Sequence, residues 1–337
     1  MGSKNYLDAA TLQKMFIEAS KFLLRYRENP NRINLFPVPD GDTGTNMSLL
    51  LKDLPGVLTA CSTIEEMIDT IRLHTANRIH GYSGTYLFLF VKGFCNQVEQ
   101  YLKRCPKLDS SGFVNAILAG AEQAVRESSV KPKEGTILTV MKKVSQTAAD
   151  VGRQTTDLCE ILKEVYLTAE KSLEETKKEL RWLDPATKME VGLQNYDIPD
   201  AGALGFYYFL GGFMTALGET PDGKYYGSLN RIHFQAMGNY GYHTEFYLSP
   251  KEEEKNFTLD NGPLSLEELK RAIVEFAGEG CGVELLKLDN GQLYVHVHVA
   301  TTNEISQIEA ALLEVGEIRR RQVDDMSKQY REAFLSD

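Results

Sequence analysis

The feature that most limits the possible folds of this chain is a change in hydrophobic spacing near residue 220. Between residue 5 and about residue 216, apolar residues recur every three or four positions, which is typical of helices that bury one face. After a turn-rich segment at 220–224, apolar and polar residues alternate, which is typical of strands. We therefore predict an all-helical domain over 5–216, a linker over 217–235 and an α+β domain over 236–337.

The helical domain is predicted to contain eight helices. The first ends before Asn29, the second follows the loop at 40–47 and ends near Pro55, and the third covers 64–79. The fourth begins at Ser83, the fifth covers 112–127 and the sixth begins at Gly135. The seventh covers 156–180 and the eighth begins at Ala201. Short connections favour helices that alternate in direction. The second, fourth, sixth and eighth helices would then begin at the same end of the bundle.

Each of these four helix starts combines glycine with a carboxylate or a hydroxyl group. The junctions are Asp40-Gly41-Asp42-Thr43-Gly44, Gly81-Tyr82-Ser83-Gly84, Lys133-Glu134-Gly135-Thr136 and Asp200-Ala201-Gly202. Two carboxylates in one rigid loop suit Mg²⁺, and helix N-termini attract phosphate oxygens. Together the junctions predict a Mg-nucleotide site, although neither of the usual glycine-rich phosphate motifs occurs. Taken singly, the junctions have simpler explanations: a solvated turn at Asp40-Gly41-Asp42, close helix packing at Gly81 and Gly84, and helix caps at Gly135-Thr136 and Asp200-Ala201-Gly202.

Composition argues against several functions. The formal net charge of −10 opposes nucleic-acid binding, which needs clustered lysine and arginine. No apolar run reaches the length of a membrane span and no signal peptide is recognisable, so we predict a cytoplasmic protein. The five cysteines lack Cys-x-x-Cys pairing and are predicted to be reduced thiols.

The C-terminal third is predicted to fold as β-α-β-β-α-β. Strands are expected over 240–248, 283–288, 293–300 and 318–323, and helices over 265–277 and 303–315. Asp289-Asn290-Gly291 is a strong signal for a tight hairpin between the second and third strands. This order is that of the ferredoxin-like fold, in which the first and third strands are neighbours.

Three histidines are predicted to meet on this sheet. His296 and His298 share one face of the third strand, and His243 lies on the same face of the first strand. Three imidazoles form a ligand set for Zn²⁺, with Glu245 or water as the fourth ligand. The alternative is a group of solvated or interface histidines without a metal.

At this point the motifs resemble a known family. Residues 34–47, 134–140 and 200–202 together resemble the nucleotide-binding domain of bacterial fatty acid kinases, which is related to the L subunit of dihydroxyacetone kinase. The resemblance implies an eight-helix up-and-down barrel with Mg-ATP bound at one end. It implies that Asp40 and Asp42 act in catalysis through Mg²⁺, with no general base assigned. It places these residues at the nucleotide: Thr43, Gly44, Asn46, Gly81, Ser83, Gly84, Gly135, Thr136, Asp200, Ala201 and Gly202.

Residues 242–246 and 295–298 are similar to the middle domain of the same kinases. The resemblance implies a metal cluster at His243, His296 and His298, holding a structural or functional Zn²⁺. Several residues depart from the family pattern, among them Ile79 and His80, which replace small and basic residues of the family. His243 stands where the family usually has cysteine, and Tyr82 stands where its loop usually has asparagine, so that Tyr82 is expected to stack on the nucleotide or crowd it.

The implied function is ATP-dependent phosphoryl transfer to the carboxylate of a fatty acid. A lipid-binding partner of the DegV type, separate or fused, would present the acid, and the chain would bind ATP and ADP and form a homodimer. The family's further C-terminal domain has no counterpart here, so either the chain is a fragment or its parent carries another domain there, such as a DegV-type one. Two alternatives stay open: a dihydroxyacetone-type small-molecule kinase subunit, and a non-catalytic nucleotide-sensing or dimerisation module.

Overall fold

The structure of the protein is a computed structural model. It describes residues 4–128, 132–183, 189–223, 240–251, 257, 265–278 and 282–334. Cys281 and most of the predicted linker lie outside these residues. Among the described residues, no helix is both long enough and apolar enough to cross a membrane.

The first region is mainly helical. Its helices are α1 (Ala9–Tyr26), α2 (Glu28–Arg32), α3 (Thr43–Leu50), α4 (Leu54–Leu58), α5 (Ile64–Ala76), α6 (Gly81–Leu102), α7 (Ser110–Arg126), α8 (Ile137–Gly152), α9 (Leu158–Glu179) and α10 (Ala201–Ala216). Several begin at side-chain caps, as the carboxylate of Asp8 accepts from the Thr11 amide and Thr63 forms a capping box with Glu66.

Two of these helices, α2 and α4, were not predicted. The single helix expected between the loop at 40–47 and Pro55 is in fact two, because α3 ends at Leu50 and Asp53 then adopts a left-handed φ of 64°. Two short pairs of antiparallel strands were also missed. They pair β1 (Tyr6–Leu7) with β2 (Leu108–Asp109), and β3 (Arg181–Leu183) with β4 (Glu190–Gly192). Elements of two to five residues are too short to show a hydrophobic period.

The long helices enclose one aromatic core. Helices α6 to α10 pack on one another in chain order, and α10 also packs on α1. Helix α3 packs on both α6 and α1. The interior holds phenylalanine rings whose contacting centroids are 4.7–6.3 Å apart, namely Phe16, Phe90, Phe94, Phe206, Phe209 and Phe213. This packing fixes where the helix N-termini lie relative to one another.

The second region contains a four-stranded sheet. Its elements are β5 (Tyr242–Ser249), α11 (Leu266–Ala277), β6 (Glu284–Lys287), β7 (Leu293–Val299), α12 (Thr302–Val315), β8 (Glu317–Asp325) and α13 (Met326–Phe334). The strand order is β6-β7-β5-β8 and every neighbouring pair is antiparallel. The α and α+β character of the chain agrees with the prediction, and among the described residues of this region only α13 is an addition to the predicted order of elements.

The two faces of this sheet have different neighbours. One face, which includes Phe246 and Val295, packs with the buried residues of α11 and α12. The opposite face packs on the helical region, where Tyr247 and Tyr294 join its hydrophobic core and the Tyr247 hydroxyl donates to the Ile79 carbonyl at 2.9 Å. The histidine-bearing face is therefore an internal contact between the two regions.

Candidate functional site

The loop before α3 is held together by one asparagine. The Asn34 amide donates to an Asp40 carboxylate oxygen at 2.9 Å and to the Val38 carbonyl at 2.8 Å. Its side-chain oxygen accepts from the amide of Thr43 at 3.1 Å. Asn34 therefore holds the Asp40 carboxylate and the first residue of α3 in place, a role that no sequence pattern indicates although the residue belongs to the quoted motif.

The two carboxylates of the loop are close together, and Asp40 is buried while Asp42 is half-buried. Burial first, and then the charge of Asp42, raise the pKa of Asp40 well above its usual value, and burial also raises the pKa of Asp42. Positive charge near a carboxylate opposes such shifts. A divalent cation between the two oxygens would supply that charge, and carboxylates with phosphate oxygens are the ligands that Mg²⁺ prefers.

Three further helix N-termini adjoin this loop. The Asp200 carboxylate caps α10 through the Ala203 amide at 2.8 Å and also accepts from the amide of Ile137, the first residue of α8, at 3.0 Å. Gly202 faces Ser83, since a Cβ added to it would lie 2.9 Å from the Ser83 hydroxyl oxygen. Gly81, with a φ of 57°, lies against Asn46 of α3 in the same way. The four junctions therefore lie together at one end of the helical region.

The gap between this end and the sheet is narrow. It has a volume of about 30 Å³, which is space for a few water molecules. Among the predicted nucleotide residues Thr43, Asn46, Gly81 and Ser83 line it, beside both aspartates and all three histidines. A triphosphate therefore requires this gap to widen.

Other predicted nucleotide residues do not line this gap. Gly44 packs on α2's start, because a Cβ there would lie 1.9 Å from the Arg27 carbonyl oxygen. The Thr136 hydroxyl donates back to the Lys133 carbonyl, and the Gly135 amide donates to Thr139. The remainder of that set, Gly84, Asp200, Ala201 and Gly202, belong to the adjoining helix starts.

The three histidines form a compact cluster on the sheet face. The ring centroids of His243 and His296 are 4.6 Å apart, those of His296 and His298 are 5.0 Å apart, and those of His243 and His298 are 5.5 Å apart. One ring nitrogen from each histidine lies within 4.8 Å of the other two. A ring nitrogen of His243 and one carboxylate oxygen each from Asp40 and Asp42 also lie within 4.8 Å of one another. His243 therefore belongs to two candidate metal-ligand sets.

The chemistry of this cluster fits a metal ion. Both ring nitrogens of His296 are fully buried and have no hydrogen-bond partner among the described residues, which is costly without a ligand. Burial, followed by the charge of His243, lowers the pKa of His296 well below its usual value and that of His298 to about 3. Both are therefore neutral imidazoles, the form that ligates metals. His243 and His296 are buried and His298 is half-buried, so the cluster is not a solvated patch, while its position between the two regions also fits the interface alternative.

Glu245 joins the cluster to the helical region. Its carboxylate accepts from His243 at 3.1 Å, from the Tyr294 hydroxyl at 2.9 Å, from the Gly81 amide at 2.7 Å and from His80 at 2.9 Å. Burial opposes ionisation, yet the hydrogen bonds from His243 and His80 hold the pKa of Glu245 well below its usual value. Burial by itself lowers the pKa of His243, but the hydrogen bond to Glu245 and the charge of that carboxylate raise the pKa of His243 to about 9.

Tyr82 contacts the sheet. Its ring centroid is 4.4 Å from that of His296 and 5.4 Å from that of His298, and its hydroxyl donates to the Gly282 carbonyl at 2.5 Å. The sequence predicts that this ring stacks on the nucleotide or crowds it. Where it lies, it covers the histidine cluster from the helical side and narrows the gap described above.

Comparisons with known proteins place the first region. A protein-family model described as the DAK2 domain matches residues 37–215. An uncharacterised protein of Staphylococcus aureus (strain bovine RF122) is 29% identical over 338 residues, which cover 95% of this chain and 56% of that protein. An uncharacterised protein of Staphylococcus saprophyticus is 28% identical over 341 residues, which cover 97% of this chain and 56% of that protein. The chain thus spans a little more than half the length of these curated relatives.

Among solved structures, a crystal structure of dihydroxyacetone kinase from C. freundii in complex with AMP-PNP and Mg²⁺ aligns with 64% of this chain and 35% of its own. The sequence identity is 12% and the TM-score 0.46. The native form of that enzyme aligns equally, at 13% identity.

Proposed function

The chain belongs to the DAK2 domain family, and from this premise we propose that it is an ATP-dependent phosphotransferase. The observation that carries the proposal is the position of the buried Asp40 and the half-buried Asp42 where four helix N-termini adjoin. Phosphoryl transfer needs positioning and charge neutralisation more than covalent chemistry. This arrangement supplies both: amides and hydroxyls for the phosphates, and two carboxylates that would hold Mg²⁺ beside them.

The proposed acceptor is the carboxylate of a fatty acid. A carboxylate is ionised at neutral pH, so no general base is required. Its oxygen would attack the γ-phosphorus, the bond to the β–γ bridging oxygen would break, and acyl phosphate and ADP would form. The interior of the helical region is filled by phenylalanine rings, which supports a separate DegV-type protein or a fused domain as the carrier of the acyl chain.

The histidine cluster would hold a Zn²⁺-type ion beside the phosphates. The unpartnered nitrogens of His296 and the shared position of His243 support this assignment. When bound, such an ion adds positive charge next to the transferring group. His243, His296 and His298 would orient it, and Tyr82 would exclude water from their helical side.

We also infer that the helical region is the barrel of this family and that the second region has the ferredoxin-like fold. The strand order β6-β7-β5-β8 with two crossing helices supports the second inference. The homodimer and the cytoplasmic location predicted from the sequence stay predictions.

Product analysis tests the proposed function. The protein is incubated with MgATP and a DegV-type protein loaded with a long-chain fatty acid, and acyl phosphate is trapped with hydroxylamine. We expect hydroxamate and ADP in equal amounts, and neither with Asp42→Asn. A parallel reaction with dihydroxyacetone tests the small-molecule alternative. Formation of the phosphorylated ketone would favour that alternative. MgATP binding without turnover in either reaction would favour the nucleotide-sensing alternative. The narrow gap between the helix ends and the sheet supports that alternative.

A further inference from the structure

One carboxylate takes its hydrogen bonds from both regions of the chain. Glu245 is 1% exposed. Two of its donors, Gly81 and His80, belong to the start of α6, and the other two, His243 and Tyr294, belong to the sheet. A buried carboxylate is stable only with several such donors. Neither region by itself supplies all four, so the set is complete only when the sheet rests on the helices.

The donors on the helical side control the first turn of α6. The Gly81 amide is the first of that helix, and Gly81 has a φ of 57° that other residues rarely adopt. Arg320 approaches the Nε2 atom of His80 at 3.1 Å. Because arginine only donates, this nitrogen accepts, and the proton of His80 lies on Nδ1, which donates to Glu245. The first turn of α6 is thus oriented by a side chain of β5.

One of the two donors on the sheet side, His243, is a candidate metal ligand. His243 directs its Nε2 atom to Glu245, which leaves Nδ1 as the nitrogen at which a cation could replace a proton. A carboxylate that receives the second nitrogen of a ligating histidine fixes the tautomer and the ring orientation. Glu245 therefore stands behind the one histidine that belongs to both ligand sets.

We propose that Glu245 is a positioning residue that couples the two halves of the site. One carboxylate orients His243 for a metal ion and holds the first turn of α6, so that the histidine cluster and the phosphate end of the helices take up their arrangement together. The identity of the two ligands rests on the proposed function, whereas the coupling rests on the contacts of Glu245.

The test compares Glu245→Gln and Glu245→Ala with Glu284→Gln. The glutamine variant keeps the shape of the side chain but places an N–H group against the N–H of His80. Glu284 is a matched control, because it is a fully buried carboxylate on β6, opposite His296 in the same sheet, and lies near Tyr86 instead of the start of α6. Two properties of the full chain are measured: Co²⁺ affinity by visible absorption, and hydrogen exchange of amides 81–84 by mass spectrometry.

We expect Glu245→Gln to lower Co²⁺ affinity by about 10- to 100-fold, the usual effect of removing a carboxylate behind a ligating histidine. Exchange of amides 81–84 should accelerate in both Glu245 variants and stay at the wild-type rate in Glu284→Gln. Wild-type Co²⁺ affinity together with wild-type exchange in Glu245→Gln would overturn the proposal. If the wild-type protein takes up no Co²⁺, the exchange rates decide alone. Neither measurement depends on turnover, so failure of the acyl phosphate assay would leave this result intact.

Discussion

Asp200 offers the sharpest test of how the helical region is built at the end where the four helix starts meet. One of its carboxylate oxygens accepts from the Ala203 amide at 2.8 Å and from the Ile137 amide at 3.0 Å. In Asp200→Ala both amides lose their acceptor in a buried place. In Asp200→Asn the amide oxygen can take the same position, so both hydrogen bonds are kept and only the charge is removed.

The magnitudes follow from these contacts. A buried donor left without a partner costs about 1–3 kcal/mol, so Asp200→Ala should lower the free energy of unfolding by about 2–6 kcal/mol. Asp200→Asn should cost far less at neutral pH, because burial, although opposed by the backbone amides, raises the pKa of Asp200 to about 6. The ionised carboxylate is therefore held there at an energetic cost that asparagine does not have.

The sign of the pH dependence is also determined. The folded protein holds the Asp200 proton more tightly than the unfolded chain, whose carboxyl titrates near 3.8. The resulting stabilisation is complete below about pH 4 and is lost as the pH rises through 6. Two pH units correspond to about 3 kcal/mol, so wild type should lose up to about that amount relative to Asp200→Asn between pH 4 and pH 7.

Urea unfolding at several pH values measures both effects. The single tryptophan, Trp182, lies in the β3–β4 hairpin against Phe36, so its fluorescence reports on the helical region. The difference between wild type and Asp200→Asn removes the contributions of all other titrating groups. Equal stability of the alanine and asparagine variants, or a difference between wild type and asparagine that does not change with pH, would refute the reasoning.

Three further predictions concern the ligands. Asp42→Asn should weaken Mg-dependent ATP binding by about ten- to 100-fold in calorimetric titration, since a charged ligand contributes about 1.5–3 kcal/mol; unchanged binding would remove Asp42 from the cation site. Elemental analysis should find about one transition metal per wild-type chain and none in His296→Ala, because three imidazoles make the ligand set; a metal-free wild type would contradict the zinc assignment. Tyr82→Asn removes the ring over His296 and the bond to Gly282, so it should widen the gap and increase MgATP affinity, and weaker binding would show that the ring supports the nucleotide instead.

Several local features could be predicted because they depend on residues close in sequence. The period of three to four residues marked the long helices, and alternation marked the strands. The capping box at Ser265 and Glu268 marked the start of α11. Alternation also put His243 and His296 on one side of their strands, and the register confirms that they share a face, since His243 lies opposite His298 and Glu245 opposite His296.

The surroundings of that face were decided by tertiary structure. A two-residue period states which side chains share a face, but contains no information about what covers it. Glu245 receives the Gly81 amide across 164 residues of sequence, and Tyr82 reaches Gly282 across 200. No local pattern encodes such contacts, because they exist only when two separately patterned regions pack together. The sequence by itself therefore determined the chemical groups of the site, whereas the packing of the sheet on the helix ends decided that they form one site.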